Sequence, residues 1–204
     1  MTATISLGPL QRSHRSQLEE IVRATGVFSE AEVAVALEVF DEAFAGSGKR
    51  EAGSETAASL LADRFALPAF RFPLPDYEFI GAFEEDTLIG YACFGPTPAT
   101  DRTYDLYWIA VHPKAQRSGA GAALMTEVEW QLEQRGARLV VVETSSRDDY
   151  ASTRRFYHKR GYNEAARVRD FYSPGDDRVV FSKRLIAARA RRRALLPFPL
   201  NAYE

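Results

Sequence analysis

The chain has 204 residues, 46% of them apolar, and a formal net charge of −2. That length suits one domain with a sizeable core, and the near-neutral charge excludes a general affinity for polyanions. A lone cysteine, Cys93, excludes an intramolecular disulfide framework and a cysteine-based metal site. The sequence carries no charged-then-apolar leader and no bilayer-length apolar run, so we expect a cytoplasmic protein without a membrane partner.

In chain order, Ile5 to Leu10 predicts a first strand. Ser13 predicts the N-cap of a helix to Ala24, with Leu18, Ile21 and Val22 on one face and Gly26 ending it. Ser29 opens a second helix to about Phe44, with Glu32 placed for a capping box. Residues 45–76 form a long connection: a Gly-Ser-Gly-Lys loop, a stretch that can be helical, then Pro68, Pro73 and Pro75. This segment reads as a lid, an interface element or a longer surface connection.

Tyr77 to Glu84 and Leu88 to Gly95 predict a hairpin around Glu85 and Asp86. Cys93 falls in its apolar run and reads as a core thiol. Thr103 to Val111 is the next strand, closed by His112 and Pro113. Ser118 to Gln134 is a long helix stopped by Arg135 and Gly136, and Arg138 to Thr144 is a buried strand. A short helix follows from Tyr150, ended by Gly161. Val168 to Tyr172 and Val179 to Lys183 are final strands about the turn residues Ser173 to Asp177. The sheet is expected to be mixed: antiparallel first, one parallel crossover around the long helix, and an antiparallel end. The tail 187–204 is basic at Arg189, Arg191, Arg192 and Arg193, then apolar. A nucleic-acid-binding tail is one reading, and a solvated terminal helix explains the arginines without a partner. The apolar end can dock on the domain or on a second subunit, which leaves a homodimer open.

The most informative stretch is Gln116-Arg117-Ser118-Gly119-Ala120-Gly121, between a strand and a helix. A helix start exposes unpaired N–H groups and the positive end of the helix dipole. Gly119 and Gly121 leave no β-carbon in the way of a phosphate. A Rossmann fingerprint requires a third glycine, where this chain has Leu124, and the Gly-Lys-Ser/Thr of a P-loop is absent.

Gln116, Gly119 and Gly121, followed by Phe156, Tyr157, Gly161 and Tyr162, resemble the signature of the GCN5-related N-acetyltransferase (GNAT) superfamily. The resemblance runs from about 77 to 184. It implies an α/β fold of GNAT type over residues 1–186, with a mixed, mostly antiparallel central sheet flanked by helices. It also implies acetyl-CoA as co-substrate, no metal, and direct attack of a primary amine on the thioester. The backbone N–H groups from Arg117 through Ser118, Gly119, Ala120 and Gly121 to Ala122 would hold the pyrophosphate, with Gln116 shaping the loop. The strand edge at Ile109, Ala110 and Val111 would pair with the pantetheine amides, and Val111 N–H would donate to the acetyl carbonyl. Tyr157 would be the acid for the departing thiolate. Tyr150 stands where many members have an asparagine that touches the cofactor, and Thr153 where they often have alanine.

A general base is open. Glu143 is the first choice because ligands gather at the carboxyl ends of strands in open α/β sheets. Asp105 and Glu78 are alternatives, as is an ordered water chain. Arg154 and Arg155 could add charge near a phosphate. His14, His112 and His158 are scattered and read as structural. A small amine is the preferred acceptor over a protein N-terminus or lysine. The alternative from another class is a CoA-binding regulatory domain without turnover. Asp170 to Asp177 lies where this class often shapes acceptor specificity.

Overall fold

A computed structural model of the chain describes residues 4–45 and 77–185. Its strands are β1 (Ile5–Pro9), β2 (Glu78–Glu84), β3 (Thr87–Pro96), β4 (Thr103–Val111), β5 (Leu139–Ser145), β6 (Asn163–Ser173) and β7 (Asp176–Arg184). They form one sheet in the order β1-β2-β3-β4-β5-β7-β6. Every neighbouring pair is antiparallel except β4 and β5, which are parallel. The helices are α1 (Arg15–Ala24), α2 (Glu30–Phe44), α3 (Ala120–Gln134) and α4 (Ala151–Lys159). The crossover from β4 to β5 runs through α3, as parallel pairing requires.

Two cores lie on opposite faces of the sheet. On the first face Leu124, Met125, Val128 and Leu132 of α3 and Tyr157 of α4 pack on Ala92, Phe94, Leu106, Val142 and Phe181. On the second face Leu18, Ile21 and Val22 of α1 and Val33, Leu37 and Phe40 of α2 pack on Tyr91, Cys93 and Ala110. The α2 start is set locally. Glu32 N–H donates to Ser29 Oγ at 3.3 Å, and Ser29 N–H donates back to Glu32 Oε2 at 2.8 Å. This reciprocal box satisfies two amides that the helix ladder leaves unpaired.

Several boundaries differ from the sequence reading. Ser13 is not an N-cap: it lies inside a short 3₁₀ turn (Arg12–His14), where Gln11 N–H donates to His14 Nδ1 at 3.0 Å and α1 follows directly. The long helix begins at Ala120 rather than Ser118, because Gly119 is left-handed at φ 98°. Strand β6 spans Asn163–Ser173, longer than the predicted Val168 to Tyr172, because it pairs along β7 on either side of two irregularities. The predicted insertion 45–76, Ala45 apart, and the tail 187–204 lie outside the described residues.

One irregularity sets up the site. On β3, Cys93 pairs with Trp108 and Phe94 with Leu106, so Tyr107 is an extra residue on β4. A bulge of this kind bends its strand and sharpens the local twist. The β4–β5 ladder runs from Thr103–Leu139 to Leu106–Val142 and stops there, at the bulge. Strand β4 stays clasped to β3 as far as Val111, across from Gly90. A β-carbon on Gly90 would lie 2.9 Å from Ala110 O and 3.3 Å from Val111 Cα, both backbone atoms that cannot move aside alone. Gly90→Ala is therefore expected to destabilise the fold by roughly 1–3 kcal/mol. Urea denaturation measures this, and an unchanged midpoint would contradict the close approach of β3 to β4.

Candidate active site

Beyond Leu106 and Val142 the two central strands part, leaving Tyr107–Val111 on one side and Glu143–Ser145 on the other. Hydrogen-bonded and non-bonded pairs alternate along an antiparallel ladder. His112 N–H donates to Ile89 O at 2.8 Å, which makes this a bonded pair. Counting back, Ala110 also turns its N–H and C=O to β3, while Ile109 and Val111 turn theirs into the opening. Of the three predicted edge residues, Ile109 and Val111 thus offer backbone groups there, and Ala110 does not. On the β5 side, Thr144 is 5% exposed and its hydroxyl is buried without a partner among the described residues.

The turn after β4 is built by short local bonds. His112 O accepts from Ala115 N–H at 2.8 Å, and Pro113 O accepts from Gln116 N–H at 3.3 Å. Arg117 is left-handed at φ 65° and Gly119 at φ 98°, and both are exposed. The first bond of the α3 ladder runs from Ala123 N–H to Gly119 O at 2.9 Å, so the amides of Gly121 and Ala122 precede the ladder. Ala120 N–H donates to Ser118 Oγ at 3.3 Å. A β-carbon on Gly119 would meet nothing within 4 Å, so the space above it is open. Gly121 differs: its β-carbon would touch Val111 Cγ2 at 3.6 Å and Phe156 at 3.8 Å, which is ordinary contact.

Tyr157 is 3% exposed, its ring 5.6 Å from Phe156 and 5.6 Å from Phe181. Burial raises its pKa, with a further push from Tyr150, so the phenol keeps its proton at neutral pH. The Tyr91 hydroxyl is sealed in the core without a partner among the described residues, and that of Tyr157 is not. The Tyr150 hydroxyl donates to Val27 O at 3.4 Å and its ring lies under Arg147. Arg154, a predicted phosphate partner, donates instead to Ser145 O at 2.7 Å and Arg147 O at 2.9 Å. Arg155 is exposed.

The three candidate bases fare differently. Glu78 accepts from Arg135 Nη2 at 2.7 Å. Glu143 accepts from Arg178 Nη2, an ion pair between neighbouring strands. Asp105 accepts from Thr97 Oγ1 at 2.7 Å, and burial raises its pKa against the opposing effects of that bond and of Arg178. The register places Asp105, Glu143 and Arg178 on the second face, the one that carries α1 and α2. Cys93, 1% exposed, has its pKa raised by burial and stays a protonated core thiol. Among the described residues no group of three His, Cys, Asp or Glu side chains is arranged to hold a metal, and no helix is long and apolar enough to cross a membrane.

A family model described as the acetyltransferase (GNAT) family matches residues 47–162. The chain belongs to the GNAT acetyltransferase family. A GNAT-family structure from Desulfovibrio desulfuricans is 35% identical, with 90% of this chain and 100% of that one covered at a TM-score of 0.71. The ribosomal-protein-S18-alanine N-acetyltransferase from Escherichia coli shares the fold at 19% identity and a TM-score of 0.60, covering 91% of this chain and 96% of that one. The PaiA N-acetyltransferase from Thermoplasma acidophilum, solved with coenzyme A, does so at 18% identity and 0.56, covering 89% and 99%. No curated protein matches the sequence at comparable significance. As a GNAT enzyme the chain is an acyl-CoA-dependent N-acetyltransferase.

Coenzyme A fits this GNAT site on the structure's own terms. The left-handed turn, the free amides at the start of α3 and the open space at Gly119 suit a pyrophosphate. The outward-facing edge of Ile109 and Val111 suits an extended amide chain. Sequence reasoning missed Tyr107, Arg178 and Arg147. The first is the bulge, and the other two reach partners distant in sequence, Glu143 for Arg178 and Val27 for Arg147. Gly119→Glu is expected to abolish acetyl-CoA binding in calorimetric titration, by filling that space with a carboxylate. Gly119→Ala, strained at the same φ but uncharged, should lose less. Equal affinity in wild type and Gly119→Glu would remove the turn from the cofactor site.

Proposed function

We propose that the enzyme transfers the acetyl group of acetyl-CoA to a small primary amine by direct attack, without a covalent enzyme intermediate. The separation of β4 from β5 beyond Leu106 and Val142, beside an open glycine turn, carries this reading. In it, the amides of the turn and of the α3 start hold the pyrophosphate, and Ile109 and Val111 hold the pantetheine arm as an added strand. Val111 N–H donates to the acetyl oxygen, where negative charge develops during attack.

Asp105 takes the base role in preference to Glu143. Glu143 is engaged directly by Arg178, whereas Asp105 accepts from the Thr97 hydroxyl and its pKa is raised by burial against the smaller opposing effect of Arg178. A raised carboxylate accepts a proton more readily, directly or through one water. Tyr157 acts as a hydrogen-bond donor to the departing sulfur. Full proton transfer from a phenol of raised pKa to a thiolate, with an ordinary thiol pKa of about 8.5, runs uphill. With Glu143 neutralised by Arg178, Asp105 leaves a net negative charge on the acceptor face, which favours a cationic amine.

Free-thiol release from acetyl-CoA, measured against a panel of polyamines, amino-acid amides and peptides, tests the acceptor class. Turnover confined to the peptides would overturn the small-amine reading. Asp105→Asn is expected to lower kcat/KM by on the order of 100-fold and Glu143→Gln by less than about tenfold. The reverse ranking would return the base to Glu143. Tyr157→Phe should lower kcat roughly tenfold with acetyl-CoA affinity retained, and unchanged turnover would take Tyr157 out of the mechanism.

A further inference from the structure

The loop between α1 and α2 and the loop between β5 and α4 meet at one carbonyl. Val27 O accepts from Arg147 Nη2 at 3.2 Å and from Tyr150 Oη at 3.4 Å. Arg147 is itself fixed. Its guanidinium sits 5.2 Å above the Tyr150 ring and pairs with Asp149 at 3.1 Å, its N–H donates to Ser145 Oγ at 3.0 Å, and its carbonyl accepts from Arg154. Val27 lies in the loop that joins α1 and α2, the helices packed over β3 and β4, while Arg147 and Tyr150 directly follow β5. A contact between them therefore spans the gap where β4 and β5 have parted. Tyr150 also interacts electrostatically with Tyr157 of α4 and with Glu32 at the start of α2.

We infer that Arg147 and Tyr150 are positioning residues that clasp the α1–α2 loop across the acceptor end of the opening and so govern which nucleophiles reach the thioester. This rests on the acetyltransferase reading above. Both bonds are long for their types, so the clasp is weak enough to release when an acceptor enters.

The test compares the full-length wild type with Tyr150→Phe and with Arg147→Ala/Tyr150→Phe. The amides of Gly26, bonded to Arg23 O at 3.1 Å, and Ser29, bonded to Glu32 Oε2 at 2.8 Å, report opening of the loop by hydrogen exchange. Loss of two hydrogen bonds should speed their exchange about tenfold in the double variant and less in Tyr150→Phe, with β3 amides unchanged. With water as the acceptor, thiol release from acetyl-CoA should rise at least about threefold in the double variant, since the clasp no longer limits access. Unchanged exchange would overturn the clasp. Faster exchange with thiol release at the wild-type level would overturn its control of access. A more than tenfold loss of acetyl-CoA affinity would make Tyr150 a cofactor contact instead. A wild type that binds no acetyl-CoA would sink the acetyltransferase reading, and exchange alone would then judge the clasp.

Discussion

The extra residue at Tyr107 is the constraint on which the site depends. Strand β5 is paired with β7 along its whole length, from Leu139–Arg184 to Ser145–Arg178, and β4 is paired with β3 as far as Val111. Neither strand can peel away from its outer neighbour. Strand β4 bends at the bulge, and the only ladder that gives way is the one between β4 and β5, after four residue pairs. The sheet is thereby divided into two halves that touch along a short seam and diverge beyond it. Backbone groups are normally satisfied within a sheet. Here Ile109 and Val111 present theirs to a gap, and an extended amide chain is the natural partner for such an edge.

A divided sheet needs other ties to keep its halves in register. On the first face Glu129 of α3, 9% exposed, accepts from Lys183 of β7 at 2.7 Å and faces Arg160 at 3.7 Å. Arg160 also donates to Thr126 Oγ1 at 2.8 Å, which fastens the end of α4 to α3. A buried charge with two cationic partners is a specific tie, because removing either partner leaves an uncompensated charge. On the second face the tie between the halves is the contact of Val27 with Arg147 and Tyr150, made of weaker and more exposed bonds. The strong fastening sits on α3 and the weak one at the proposed acceptor side of the opening.

Much of this was legible in the sequence, for reasons that can be named. The capping box at Ser29 and Glu32, the stop at Arg135 and Gly136, and the hairpin about Glu85 and Asp86 are signals that act within a few residues, and all appear as read. The glycine turn was visible because Gly119 adopts a conformation that side chains disfavour. The bulge was not visible, since Tyr107 sits in an apolar aromatic run with no glycine to mark it. Ser13 misled because a serine before an apolar face suits an N-cap, while the neighbouring imidazole of His14 took the Gln11 amide first. The Glu143–Arg178 pair was illegible for a different reason: it needs the knowledge that β5 lies beside β7, and 35 residues separate the two side chains.

That pair also bears on the proposed base, Asp105, which lies beside an arginine. A free Arg178 facing Asp105 would hold it ionised and lower its proton affinity. Arg178 is also engaged by Glu143, and its guanidinium lies 5.0 Å from the Phe171 ring, while its charge still opposes the rise at Asp105. Burial is then the largest influence on Asp105, ahead of Thr97 and Arg178, and its pKa rises. Two acids on one face of the sheet thus divide the work by environment. Glu143 is paired with Arg178, and Asp105 is left with a pKa raised by burial.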